Sequence, residues 1–115
     1  MNVSFDGIGS QVMTFVNNAD APAAVGVPVA MLGSGEVRAA ATDSVFMGVC
    51  AAGDKDYVAV QTAGVVTCRY TGTAPAVGYG KLAAAADGTV AAKSTGREYL
   101  ILAVDTAAGT VTFVL

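Results

Sequence analysis

The chain has 115 residues and a formal net charge of -3 at pH 7, and it combines 54% hydrophobic residues with only 13% charged residues. Its six Lys and Arg residues are scattered, so no basic patch could neutralise nucleic-acid phosphates, and no apolar stretch reaches the roughly 18 residues of a membrane-spanning helix. Because the chain contains no histidine, Ser-His-Asp and Cys-His catalytic arrangements and most zinc sites are also excluded.

The chain begins with an N-terminal arm, residues 1–11, which precedes a single domain at residues 12–115. The arm lacks the basic region and the apolar stretch of a signal peptide, so we expect synthesis in a reducing cytoplasm. Phe5, Ile8 and the nearby Met13 are apolar, and they are candidate contacts with another protein. Two interpretations stay open: the arm attaches to a partner surface, or it caps its own domain.

Short runs rich in Val, Thr, Phe and Tyr, separated by glycines, predict ten β-strands along the rest of the chain. They lie at residues 11–16, 27–32, 36–40, 45–51, 57–62, 65–70, 81–83, 89–92, 99–104 and 110–115. Strands whose centres are spaced by about eight to twelve residues are typical of an all-β sandwich or barrel.

The strand that starts at Tyr99 is apolar on both faces, whereas most of the others alternate. Such a strand is central in its sheet, or its second face meets another subunit. On the second interpretation, Tyr99, Ile101 and Ala103 are candidate contact residues.

Turn residues support the same fold class. Asp87-Gly88 suits a two-residue hairpin of type I′, in which both central residues need positive φ, and Gly35 and Gly109 suit slightly longer loops. The alanine run at residues 83–86 is too short for a stable helix, and we interpret it as small residues at a place where strands approach closely or face a neighbour. One short helical turn is expected near residues 19–24.

An internal repeat emerges when the chain is compared with itself at a shift of 53 residues. The aligned segments are 21–23 with 74–76 (both A-P-A), 35–37 with 88–90, and 58–60 with 111–113; Phe46 aligns with Tyr99, and Val49 with Leu102. The order of strands, turns and prolines matches over residues 12–61 and 65–114. The sequence therefore predicts an all-β fold, a small closed or partly closed β-barrel built from two similar halves, with Leu115 at the position of Thr62.

Other chemically suggestive residues favour structural roles. Cys50 and Cys68 are interpreted as two unpaired, buried residues, since no disulfide framework accompanies them. The Asp54-Lys55-Asp56 segment lacks the further acidic ligands of a calcium loop and is interpreted as a solvated hairpin tip. Asp43 and Asp105 are assigned to turns or the surface. We therefore predict no enzymatic activity, no cofactor and no metal site.

At the level of motifs, the chain resembles the bacteriophage capsid decoration proteins, also called head-stabilising or cement proteins. The resemblance is carried by V-G-V-P-V-A at 25–30, G-E-V at 35–37, F-M-G-V at 46–49, Y-V-A-V-Q-T-A-G-V-V at 57–66, V-G at 77–78, D-G-T-V at 87–90 and G-T-V at 109–111. These motifs cover most of the chain from about residue 12 onward.

This resemblance implies a β-barrel-like structural protein of the virion without enzymatic activity. It implies synthesis in the cytoplasm of a host bacterium and assembly on the capsid exterior, commonly as homotrimers at local threefold positions between subunits of the major capsid protein. It carries over no catalytic or contact residue to this chain. The alternative from the residues is a tail or baseplate β-barrel that binds a host surface or another virion protein.

Overall fold

The computed structural model describes residues 11–115, and over this range the chain is almost entirely β-structure, as the sequence predicts. The strands are β1 (Gln11–Asn17), β2 (Pro28–Gly33), β3 (Glu36–Ala39), β4 (Gly48–Gly53), β5 (Tyr57–Ala63), β6 (Val65–Arg69), β7 (Gly78–Ala85), β8 (Thr89–Ala92), β9 (Arg97–Asp105) and β10 (Thr110–Val114). A short 3-10 turn, Ala86–Gly88, joins β7 to β8. The predicted arm falls almost wholly on residues 1–10, which lie outside the described range.

The strands form two units that follow one another along the chain. In the first unit, β1 to β5 make a closed barrel in the order β1-β3-β2-β4-β5, and β1 and β3 run parallel. In the second unit, β6 to β10 make a sheet in the order β6-β10-β9-β7-β8. An isolated parallel bridge between Tyr70 and Val90 links β6 to β8, so the second sheet curls in the same order as the first.

The pairing register repeats as well as the strand order. Val37 lies opposite Asn17 in the first unit, and Val90 lies opposite Tyr70 in the second. The same holds for Val60, which lies opposite Met13. The residues 53 positions later, Phe113 and Val66, also lie opposite each other. Because a slip of one residue would turn every side chain to the other face, this agreement shows two similar halves.

At β4 and β9, matching residues of the two units lie 51 positions apart instead of 53. Cys50 lies opposite Val60, and Ile101 lies opposite the matching Phe113, so Cys50 corresponds to Ile101, 51 residues later. The predicted alignments of Phe46 with Tyr99 and of Val49 with Leu102 are therefore wrong by two residues.

The cause lies in the segment before β4. β4 begins at Gly48 instead of residue 45, because the preceding residues leave the first unit and contact the second. The Asp43 N–H donates to the Ala84 carbonyl at 2.8 Å, and the Ala84 N–H donates to the Ser44 carbonyl at 2.9 Å. Phe46 then enters the core of the second unit.

The two cores differ in the size of their side chains. Small aliphatic side chains dominate the first core, which consists of Ala23, Val29, Val37, Cys50, Val58 and Val60, with Phe15 and Met47 packed against it. The second core is built around three aromatic rings: Phe46 stacks on Tyr99 with centroids 5.2 Å apart, and Phe113 lies 5.1 Å from Tyr99. The Tyr99 hydroxyl donates to the Phe46 carbonyl at 3.1 Å, so its polar atom is satisfied.

Two local predictions need correction. Asp87 and Gly88 do adopt positive φ, at 60° and 72°, but Ala85 pairs with Thr89, so the loop has three residues instead of two. No helical turn forms at residues 19–24. Instead, the Asn18 side-chain oxygen accepts hydrogen bonds from the Asp20 and Ala21 N–H groups and so makes a non-helical turn.

Candidate interaction surface

The structure separates the residues that the sequence suggested as contacts. Tyr99 and Ile101 are each only 2% exposed and belong to the second core, because β9 is the central strand of its sheet. They therefore offer no surface to a partner. Met13 on β1 and Ala103 on β9 are exposed, and they lie on different units. Phe5 and Ile8 lie outside the described residues.

Exposed large apolar side chains concentrate on the first unit and on the segment that leaves it. Among residues 11–115, eight of ten belong to the first half of the chain. The ten are Val12, Met13, Val16, Val25, Met31, Leu32, Val45, Tyr57, Val77 and Tyr79. Scattered apolar residues are normal on a protein surface, whereas a clustered set marks an interaction site.

Part of this set forms one continuous patch across β1 and β5. Val16 lies directly opposite Tyr57, and Thr14 lies opposite Ala59. Since alternate residues of a strand share a face, Val12 completes the same outer surface. We call these five residues, Val12, Thr14, Val16, Tyr57 and Ala59, the β1–β5 face. It carries no charged side chain, and Val16 and Tyr57 are 44% and 60% exposed.

The matching surface of the second unit is polar at two of its three residue pairs. At the third pair, Val65 and Val114 are both apolar, where the first unit has Val12 opposite Gln61. Arg69 lies opposite Thr110, at the positions that Val16 and Tyr57 occupy in the first unit. Thr67 lies opposite Thr112, and their hydroxyl groups are hydrogen-bonded at 2.8 Å. The two units therefore share their backbone register, but the first unit has Val16, Tyr57 and Ala59 where the second has Arg69, Thr110 and Thr112.

A hydrogen-bonded turn fixes the β5 end of the β1–β5 face. The Asp54 carboxylate accepts hydrogen bonds from the N–H groups of Asp56 and Tyr57, at 2.8 and 3.0 Å. Bonding by the Tyr57 and Asp56 N–H groups lowers the pKa of Asp54 below its ordinary value. The Asp54 carboxylate therefore caps a turn, consistent with the predicted hairpin tip, and residues 11–115 contain no cluster of three or more potential metal ligands.

A buried amide fixes the opposite side of this turn. Asn17 is 5% exposed; its side-chain nitrogen donates to the Ala23 and Asp54 carbonyls, and its side-chain oxygen accepts from the Ala23 N–H. These three bonds connect β1, the loop before β2 and the β4–β5 turn. The end of the face near Val16 and Tyr57 is therefore held by side-chain bonds as well as by the sheet.

The two cysteines are buried, and two of the aspartates that the sequence singles out have structural partners. Cys50 and Cys68 are free, buried thiols in different units, and burial raises the pKa of Cys68 to about 12. A thiol of this kind stays protonated at neutral pH and is a poor nucleophile. Asp43 forms an ion pair with Lys93, and Asp105 accepts from the Ala107 and Ala108 N–H groups.

A cleft near the junction of the two units has a volume of about 430 Å³. Its walls are mostly alanine side chains and backbone, with Arg38 and Asp87 at its edge. No converging set of polar groups that would orient a small ligand lines it, in contrast to usual binding pockets.

Sequence reasoning did not single out Val16 and Tyr57. The signal was present as alternation in β1, where Val12, Thr14 and Val16 share one face and Met13 and Phe15 share the other. Which of the two faces is exposed depends on the partner strand, and the sequence alone does not name that strand.

Comparison with known proteins finds no match: no family description, no curated protein and no solved structure resembles the chain significantly. Within the described part of the chain, no helix is long and apolar enough to cross a membrane.

Proposed function

We propose that this protein is a structural, non-enzymatic component of a phage particle, which decorates the outside of the capsid and stabilises it by binding between major capsid protein subunits. The observation that carries the proposal is the exposed, apolar Val16–Tyr57 pair of the uncharged β1–β5 face, whose counterpart on the second unit is the polar pair Arg69–Thr110. A cluster of exposed apolar side chains such as Val16 and Tyr57 is expected for a binding surface. The motif resemblance to capsid decoration proteins supports the major capsid protein as the partner.

The proposed mechanism is stabilisation by mass action. A protein that binds the assembled shell, but not free subunits, lowers the free energy of the assembled state. One such face is small, so we propose that the protein acts as a homotrimer, in which linked contacts bind with an avidity far above that of one contact. The β1–β5 face contacts the shell, and the rigid two-unit fold holds the contacts in fixed geometry.

The test is re-addition of purified protein to shells that lack it. Wild-type protein should bind these shells and raise the temperature at which they release DNA. The double substitution Val16→Arg with Tyr57→Thr, which copies the polar pair of the second unit onto the first, should abolish both effects. The matched control Thr112→Arg adds the same charge to the outer face of the second unit and should bind like wild type.

Three results separate the possibilities. Loss of shell binding in the Val16→Arg/Tyr57→Thr protein alone supports the proposal. Equal binding by all three proteins removes the β1–β5 face from the interface. Failure of the wild-type protein to bind shells, together with its recovery only in the tail fraction of purified particles, contradicts capsid decoration.

A further inference from the structure

The two units differ at one edge of their second strand, β2 in the first unit and β7 in the second. The pairs Met31–Val37 and Ala84–Val90 occupy the same place in the repeat. Ala84 and Ala85 are buried, at 0% and 6% exposure. The corresponding Met31 is 48% exposed, and Leu32, the extra residue of a bulge that follows Met31 in β2, is 47% exposed. Matching positions of one fold are therefore covered in one unit and open in the other.

A segment of the chain covers this edge in the second unit. As described above, the backbone of Ala84 exchanges hydrogen bonds with Asp43 and Ser44, beyond the end of β9. An ion pair between Asp43 and Lys93 fastens the segment further. The segment thus adds a short stretch of backbone to the edge of β7.

At the corresponding edge of β2, the backbone N–H and C=O groups also point away from the hairpin partner strand, which is β3. The Ala40 N–H donates to the Pro28 carbonyl, so Pro28 faces β3, and by alternation Val29 and Met31 direct their backbone groups away from β3. β4 begins opposite Val29, and the last backbone bond on this side is from the Met47 N–H to the Val29 carbonyl. Among residues 11–115, no strand or loop backbone pairs with Met31 on this side.

We propose that this Met31–Leu32 edge is a β-strand addition site, which captures an extended segment of a shell subunit in the way that Ala84 is covered by the chain's own residues 43–44. The proposal rests on the proposed function and names the backbone contact within it. An unpaired edge of this kind binds an extended peptide through main-chain hydrogen bonds, while flanking side chains choose the sequence. Exposed Met31 and Leu32 select apolar side chains on the incoming segment.

Charge selects the rest of the segment. Glu36 lies beside Gly33 at the tip of the β2–β3 hairpin, next to the edge. The incoming segment is therefore apolar and carries a cationic side chain that reaches Glu36.

The edge is continuous with the β1–β5 face. The Val16 N–H donates to the Gly35 carbonyl at 2.9 Å, so the hairpin that carries Met31 and Leu32 borders that face. A shell subunit that covers Val16 and Tyr57 therefore lies within reach of this edge.

Hydrogen–deuterium exchange of the full chain, free and bound to shells, tests the site directly. Binding should slow exchange in residues 28–35 about tenfold or more, since the Met31 N–H gains a partner, whereas residues 82–85, already covered, should change little.

Leu32→Lys should weaken shell binding about tenfold by placing a charge on the edge and repelling a cationic segment, and Glu36→Gln should weaken it less. The control Val77→Lys places the same charge at a 68% exposed position of the second unit and should leave binding unchanged.

The results that would overturn the strand-addition site differ from those that would overturn the proposed function. Shell binding without protection of residues 28–35 overturns the strand-addition site and leaves capsid decoration intact. Protection that appears in the free protein as its concentration rises assigns the edge to a second copy of the chain and also overturns the proposed occupant. Absence of any shell binding removes both proposals together.

Discussion

Val16 and Tyr57 face each other on the outside of the first unit, and the same two places on the second unit hold Arg69 and Thr110. The inward positions between them have stayed apolar in both units, with Val58 matched by Val111 and Val60 by Phe113. The comparison shows that strand register is maintained by the buried residues. Outward residues are free to change, and that is where a duplicated fold acquires a new surface.

The cores make a second comparison. The described core of the first unit uses only residues of the first half, whereas the core of the second unit takes Phe46 from the first half. The second unit therefore depends on the first for part of its packing, and no equivalent donation runs in the other direction among the described core residues. The following substitutions test how far this asymmetry extends, from the largest expected effect to the smallest.

Phe46→Ala should have the largest effect on stability. Its ring is 1% exposed and lies against Tyr99 and Phe113, with centroids 5.2 and 6.0 Å away. Removing such a ring leaves a cavity and typically costs about 3–5 kcal/mol, a large share of the net stability of a domain. Urea unfolding followed by circular dichroism measures the loss.

Phe15→Ala is the matched control for Phe46→Ala, because Phe15 is a partly buried phenylalanine at the edge of the first core. A smaller loss is expected there, since part of the ring is already in water. Equal losses for Phe15→Ala and Phe46→Ala would contradict the dependence of the second core on the donated ring.

Asn17→Ala should have the next largest effect. It removes three buried hydrogen bonds and leaves the Ala23 and Asp54 backbone groups without their partner. An unsatisfied buried group costs about 1–3 kcal/mol, so the thermal midpoint should fall by several degrees. The control Asn18→Ala removes an exposed turn and should cost less; the idea fails if the neighbouring substitutions are equivalent.

Cys68 should make stability depend on pH in alkaline solution. Burial raises the pKa of the folded thiol from 9.0 to about 12, so between these values the unfolded chain loses a proton that the folded chain keeps. Stability from this group is complete below pH 9.0 and falls by about 1.4 kcal/mol for each pH unit above it, until pH 12. The quantity to measure is the difference in unfolding free energy between wild type and Cys68→Ala from pH 8 to pH 11.

Other groups titrate in the same range, so only that difference is diagnostic for Cys68. The two proteins should show unfolding free energies that converge as the pH rises. Parallel curves for wild type and Cys68→Ala would show that the thiol ionises in the folded state as readily as in the unfolded one. Thiol labelling at pH 8 should likewise be slow until denaturant is added.

The double substitution Val16→Arg/Tyr57→Thr should have the smallest effect on stability. Both side chains are exposed on the outer surface, where substitutions usually change stability by less than about 0.5 kcal/mol. A melting curve close to that of wild type is expected, combined with the loss of shell binding described above. A large drop in the melting temperature would instead assign this pair to folding.

Much of this fold could be predicted because its signals are local. Glycines with positive φ, such as Gly35 and Gly109, mark turns, and alternation between them defines strands, so all ten strands were anticipated with small errors in their ends. The alanine-rich β7 was predicted only as residues 81–83, whereas it runs over Gly78–Ala85. The repeat then predicted two halves of equal strand order.

What the sequence did not predict depends on contacts between distant residues. The start of β4 and the place of Phe46 are set by Ala84 and Tyr99, which lie in the other unit. Tyr99 and Ile101 were candidates for a surface because both faces of β9 are apolar, and only the neighbouring strands show that they are buried. The exposure of Val16 and Tyr57 follows from the same kind of information.

The self-contained first core has a consequence for synthesis on the ribosome. Its described members all precede Ala63, so this barrel has its full complement of strands while the remaining residues are still being translated. The second unit cannot complete its aromatic core until Phe113 has been translated. By then the first unit is folded and already presents Phe46 to the second unit. The N-terminal barrel thus acts as a built-in template, and the order of translation sets the order of assembly.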